Sequence, residues 1–309
     1  MPFSLPRLAA AAVLAFASLA TPAAAATPTV PAPSGGLEQT LDADQQQARG
    51  NAVLETGHVD IGPRHRDGTW TIQIHDDHAV PSVWRDPAET VLRVRDTARQ
   101  PVPDDEAYAF LGEKPGKQVH VVPQTERQGV VWIGWNTQDP GVLKAISRGV
   151  TMTLRGVQGP GTFSVFLQSG NLGAPQVLWS SKKPYPQPIW VETNTHTHAN
   201  WVFGEPGSYL LAVDISADLA DGSTATASTV LRLAVGDTTD PASARTAAFT
   251  QPLPSMSAQA AAQSDPPSRP WQLPLLATAG VLLAVTVAAL AVRQGTVRRR
   301  AERDREAAR

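Results

Sequence analysis

Between residues 51 and 236 the apolar side chains recur with a period of two. Trp70, Ile72 and Ile74 alternate with Thr69, Thr71 and Gln73, and Val150, Met152 and Leu154 alternate with Thr151, Thr153 and Arg155. Phe163, Val165 and Leu167 follow Gly159-Pro160-Gly161, which predicts a hairpin over residues 149–169 with a Gly/Pro turn. The same alternation returns at Tyr209, Leu211, Val213 and Ile215, and at Thr229, Leu231, Leu233 and Val235. Alternation of this kind puts one side of each strand in a core and the other outside it. Only residues 104–112, with a weaker signal over 37–49, have a helical pattern. Many short strands separated by turn residues predict a mostly-β fold, a single Ig-like or Greek-key β-sandwich.

The two ends follow other patterns. Residues 1–26 carry Arg7, an apolar run from Leu8 to Leu19 and the small residues Ala24-Ala25-Ala26, the layout of a signal peptide cleaved after Ala26. Residues 273–292 are 20 uncharged residues, about 30 Å of helix, enough to cross a hydrocarbon core. Trp271 stands at the outer edge of this span, and Arg293, Arg298, Arg299 and Arg300 follow it. The positive-inside rule keeps those arginines in the cytoplasm. The expected organisation is a signal peptide (1–26), a linker (27–50), a β domain (51–236), a disordered Pro/Ala/Ser-rich stalk (237–270), a transmembrane helix (271–292) and a basic cytoplasmic tail (293–309). The β domain then lies outside the cell membrane, tethered by a single pass.

Charge and cysteine content narrow the function. The net charge of −2 hides an asymmetry: residues 293–309 hold seven Arg against three acids, and the signal region holds one Arg. The remainder carries 18 bases against 25 acids, a net charge of −7. An acidic domain lacks the basic face that phosphate binding needs, so nucleic acid is not an expected partner. There is no cysteine, which excludes disulfides, thiolate metal sites and cysteine nucleophiles.

The seven histidines carry the candidate chemistry. His196 and His198 lie two apart, so on a strand both project from one face, together with Asn194, Asn200 and Val202. Trp201 and Phe203 take the opposite parity, so if that side is the core the imidazoles point away from it. His58 and Asp60 repeat the i, i+2 geometry. Two such pairs on adjacent strands make a set of three imidazoles and one carboxylate, suited to a divalent transition metal such as Zn²⁺ or Mn²⁺. The other reading of the same four residues is a hydrogen-bonded polar face.

His75-Asp76-Asp77-His78 sits at a strand end, where it reads as a weaker chelating group or as solvated turn chemistry. His120, among valines, is expected on a strand face, and His65 in an exposed basic loop, Arg64-His65-Arg66. Trp132 and Trp135 fall on opposite faces of one strand; each is expected to fill a core, and the alternative is that one is exposed and stacks on a sugar or porphyrin. The G-x-S-x-G elbow, the H-E-x-x-H helix, the P-loop and the dinucleotide fingerprint are all missing, so an enzyme is not expected.

Several strings together resemble the actinobacterial surface-anchored domain of the choice-of-anchor M proteins. They are Gly57-His58-Val59-Asp60, Phe110-Leu111-Gly112, Val122-Pro123-Gln124 and Trp132-Ile133-Gly134-Trp135-Asn136-Thr137. Gly159-Pro160-Gly161, Thr195-His196-Thr197-His198-Ala199-Asn200-Trp201-Val202-Phe203, Pro206-Gly207-Ser208-Tyr209 and Val235-Gly236 complete the order, over residues 53–236. The resemblance implies a role beside ABC transporters of the zinc/manganese type, in handling a metal or metal complex at the cell surface. A structural or adhesive envelope protein, contacting polysaccharide or protein through aromatics, is the alternative. An envelope-acting enzyme is a more distant one.

Overall fold

A computed structural model of the chain describes residues 41–170 and 173–254. The expected signal peptide, transmembrane helix and cytoplasmic tail, and residues 27–40 and 255–270 of the linker and stalk, lie outside the described residues. Among the described residues no helix is long and apolar enough to cross a membrane.

The protein is mostly β. Its first strands are β1 (Ala52–Leu54), β2 (Gly57–Arg66), β3 (Thr69–Asp76), β4 (Val83–Arg85) and β5 (Thr90–Val94). Then come β6 (Arg99–Pro101), β7 (Gln118–Val122), β8 (Val131–Asn136) and a short helix, α1 (Pro140–Ala145). The second half holds β9 (Gly149–Gln158), β10 (Phe163–Leu167), β11 (Gln176–Ser180), β12 (Gln187–Glu192) and β13 (His196–His198). β14 (Asn200–Phe203), β15 (Gly207–Asp218), β16 (Thr224–Val235) and α2 (Pro241–Thr246) complete the described chain.

Hydrogen bonding sorts the strands into three sheets. A six-stranded sheet has the order β1-β5-β16-β15-β9-β12, and two five-stranded sheets have the orders β11-β10-β14-β7-β6 and β13-β8-β2-β3-β4. Most pairs are antiparallel, but β1 with β5, β16 with β5 and β2 with β8 run parallel. One apolar core is shared by all three: Leu211, Ile215 and Leu231 from the six-stranded sheet meet Ile61, Ile74, Ile133 and Trp135, and also Phe163, Trp201 and Phe203. The alternation read from the sequence explains the long β15–β16 pair, in which Tyr209, Leu211 and Val213 lie opposite Leu233, Leu231 and Thr229. With Leu211 fully buried, truncation to Ala costs about 2–5 kcal/mol.

Several local expectations change. The hairpin over residues 149–169 does not form, because β9 pairs with β12 and β15 while β10 pairs with β11 and β14 in another sheet. The Gly/Pro segment is a crossing between layers. The helical signal at 104–112 becomes a 3-10 turn, Glu106–Leu111, capped by Asp105 through Ala107 N–H and ended by Gly112 at φ 70°. The 37–49 signal gives no helix among residues 41–49. α1 carried its own signal, since Asp139 caps it by accepting from Val142 N–H and Pro140 opens it.

Both linker boundaries move as well. Leu41 is buried, and the Gln45 carbonyl and Gln47 side chain accept from Arg64, so residues 41–50 belong to the domain. Arg64 is consequently buried over Trp84 in β2, and not in an exposed basic loop. At the other end residues 237–254 are packed on the domain: Ala244 is buried and Arg232 donates to the carbonyls of Ala244 and Ala247. Arg155, paired with Asp214, also donates to the Pro254 carbonyl. The arginines add polar anchoring to the apolar contact of Ala244 with Val91 and Ala234.

Candidate metal centre

The site lies on the sheet β13-β8-β2-β3-β4. In the parallel pair β2–β8, His58 is level with Trp132 and Asp60 with Gly134. In the antiparallel pair β8–β13, His198 is level with Gly134 and His196 with Asn136. The i, i+2 spacing puts each pair on one face, as the sequence predicts. The two strands are not adjacent, however: β8 runs between them. Two strand spacings are about 9.5 Å, so the side chains meet only by leaning inward over the intervening strand. Gly134 makes room for this. A Cβ there would overlap Asp60 Oδ1 and come within 2.8 Å of both His198 Cε1 and the Thr197 carbonyl oxygen.

The three Nε2 atoms form a nearly equilateral triangle. His58 to His196 is 3.0 Å, His196 to His198 is 3.1 Å, and His198 to His58 is 3.0 Å. Asp60 closes it, with Oδ2 3.3 Å from His58 Nε2 and 3.1 Å from His196 Nε2, and Oδ1 3.7 Å from His198 Nε2. Four donors at bond lengths of about 2.0–2.1 Å around a tetrahedral ion stand about 3.3 Å apart, so the spacing fits a small divalent cation. The four residues could hold a metal ion. Asp60 is completely buried and its Oδ1 has no hydrogen-bond partner, a costly state that a cation at the centre would relieve. The His196 and His198 side chains are 3% exposed and that of His58 is 19% exposed, so the His58 side faces outward.

Neighbouring groups fix the set. His58 Nδ1 lies 2.8 Å from Asp77 Oδ2, Asn136 Nδ2 donates to Asp60 Oδ2 at 3.1 Å, and Trp132 stacks on His198 with ring centres 3.6 Å apart. Burial favours a neutral His58, but hydrogen bonds to the Asp60 and Asp77 carboxylates outweigh it and push its pKa up to about 10. Burial takes His198 down to about 3. Burial opposes ionisation of Asp60 too, yet its hydrogen bonds with His196 and His58 hold it well below the usual carboxylate range. Three imidazole lone pairs cannot all face one another at 3.0 Å: an N–H hydrogen or a cation must stand between them. The hydrogen bonds that raise the His58 pKa favour a proton there in the metal-free centre, and a metal ion would displace it.

The other candidates separate. Asp77 serves His58, while Asp76 pairs with Arg85 and accepts from the His78 and Ala79 amides. His75 is buried against Trp84, and His78 is exposed. His120 lies in a strand, as expected, with Asp96 2.9 Å away. His65 is half-buried in β2 beside Trp70, a correction to the exposed loop. Trp132 and Trp135 are both buried, so neither is free to stack on a ligand outside. The shared parity of His198 and Asn200 fails because the chain changes sheets at the buried Ala199, β13 pairing with β8 and β14 with β7 and β10. Sequence reasoning missed Gly134, Asn136 and the service of Asp77. A glycine inside the aromatic strand Trp132-Ile133-Gly134-Trp135 was the available signal, since glycine there marks a close approach.

Comparison of the chain with family models, with curated proteins and with solved structures finds no match.

Proposed function

We propose that the protein is an extracytoplasmic, membrane-anchored binding protein that captures one divalent transition metal ion at His58, Asp60, His196 and His198. The observation that carries this reading is the triangle of Nε2 atoms, 3.0–3.1 Å on a side, closed by a buried carboxylate. Three nitrogens and one oxygen in a compact arrangement favour Zn²⁺; Mn²⁺ prefers more oxygen donors and an octahedral shell, so it is the more weakly bound ion. Four protein donors also suit holding an ion more than catalysis, which keeps a position open for substrate. The anchor reading rests on residues 1–26 and 271–292, and the role as accessory to an ABC transporter rests on the sequence resemblance. Metal analysis of the purified full chain, with calorimetric titration of Zn²⁺ and Mn²⁺, tests the centre. One ion per chain is expected, and no binding of either ion would leave a hydrogen-bonded polar cluster.

A second reading is a structural ion. The burial of three of the four ligands favours it: in a chain without cysteine, a metal bridging β2 and β13 would staple the sheet across β8. Exchange under native conditions separates the two, since a captured ion leaves without unfolding and a staple does not.

A further inference from the structure

Among the ligands, His58 has the least packing around it, yet its ring must turn Nε2 inward for the centre to exist. A freely rotating imidazole could present either nitrogen. The turn after β3 removes that freedom. Asp77 N–H donates to the His58 carbonyl at 3.1 Å, and His58 Nδ1 lies 2.8 Å from Asp77 Oδ2, so the two residues are joined through backbone and side chain.

Asp77 is itself held in place. Its Oδ1 is 3.4 Å from Nδ1 of the buried His75, whose Nε2 lies 2.9 Å from Gln45 Oε1. The neighbouring Asp76 caps the turn and pairs with Arg85 at 2.7 Å. Beyond it, the His78 ring lies against Gly57, where a Cβ would come within 2.7 Å of Nδ1. The segment 75–78 is therefore a brace for His58.

We propose that Asp77 is a positioning residue: it accepts the His58 Nδ1–H and so fixes Nε2 as the atom that faces the metal. This rests on the metal reading of the centre. A carboxylate behind a ligating imidazole sets ring orientation and raises ligand basicity, and its loss weakens metal binding about 10–100-fold. Asp77 touches no position where the ion would sit, so its effect passes through His58.

The test uses the full chain in detergent, with histidine side chains labelled with ¹⁵N, and compares the wild type with Asp77→Ala and Asp77→Asn. In the metal-free wild type the His58 Nδ1–H should give a resonance protected from solvent exchange. Asp77→Ala should lose it, and Asp77→Asn, which keeps a neutral acceptor, should exchange at an intermediate rate. Zn²⁺ affinity should fall about 10–100-fold in Asp77→Ala and less in Asp77→Asn. If Asp77→Ala does not fold, Asp77→Asn decides by the same two readouts. A protected resonance in Asp77→Ala, none in the wild type, or unchanged affinity in a folded variant overturns the proposal. If the wild type binds no Zn²⁺, the metal reading fails, while the resonance still decides whether Asp77 holds the ring.

Discussion

Nε2 of His58 lies 3.0 Å from Nε2 of His196, 138 residues further along the chain and two strands away in the same sheet. The strand between them presents Gly134 where Asp60 and His198 close the set, with no room there for a Cβ. The spacing of the histidines, the register of β8 and the identity of residue 134 act together.

Removing the late pair should remove the ion. His196→Ala combined with His198→Ala leaves one imidazole and one carboxylate, and calorimetry should record no Zn²⁺ binding at concentrations that saturate the wild type. His65→Ala, in the same strand as His58 but beside Trp70, should leave affinity unchanged. Equal affinity in the double variant would assign the ion elsewhere.

Gly134→Ala should damage the centre without touching a ligand. The added methyl overlaps Asp60 Oδ1, with strand backbone on the other side, so β13 or Asp60 must move. Overpacking of this kind costs about 1–3 kcal/mol. Chemical denaturation should register that loss, and Zn²⁺ affinity should fall at least as far as in Asp77→Ala.

The pH dependence has a definite sign. The metal-free centre carries a proton on His58, whose pKa is raised from 6.5 to about 10, and metal must expel it. Apparent affinity should therefore rise about tenfold per pH unit toward pH 10, with one proton released per ion in titrations run in buffers of different ionisation heat. His198, pushed down to about 3, is already neutral and releases none. Stability of the metal-free protein should move the other way. A raised folded-state pKa contributes stability that is fully present below 6.5 and is lost as pH rises through about 10. Denaturation curves at pH 7 and pH 10 would expose a flat response if the proton sits elsewhere.

Bound metal should raise the melting temperature. At a free Zn²⁺ concentration 100 times Kd the folded state gains about 2.7 kcal/mol, several degrees for a domain of this size. A chelator added at 25 °C should reverse the shift within minutes if the ion is captured. Retention until unfolding would favour the structural ion.

Limited proteolysis should spare residues 237–254. α2 is capped by Asp240, which accepts from the Ala242 and Ser243 amides, and is held by Arg232. Cleavage inside Pro241–Thr246 at the earliest times would contradict this packing.

The mostly-β class, the long alternating strands β15 and β16, and the four residues of the centre were legible from residue order, because side-chain parity on a strand is a local property. His58 with Asp60 and His196 with His198 each share a face whatever the rest of the fold does. Pairing is not local. The transfer of the chain between sheets at Ala199 and at Gly159-Pro160-Gly161, the insertion of β8 between the two ligand pairs, and the attachment of residues 237–254 depend on which distant strand offers a matching apolar face and free hydrogen bonds. Gly134 and Asp77 belong to that second kind of information. A missing side chain is a space only when two other strands lean into it, and a carboxylate in a turn positions His58 only once folding brings β2 and the turn after β3 together.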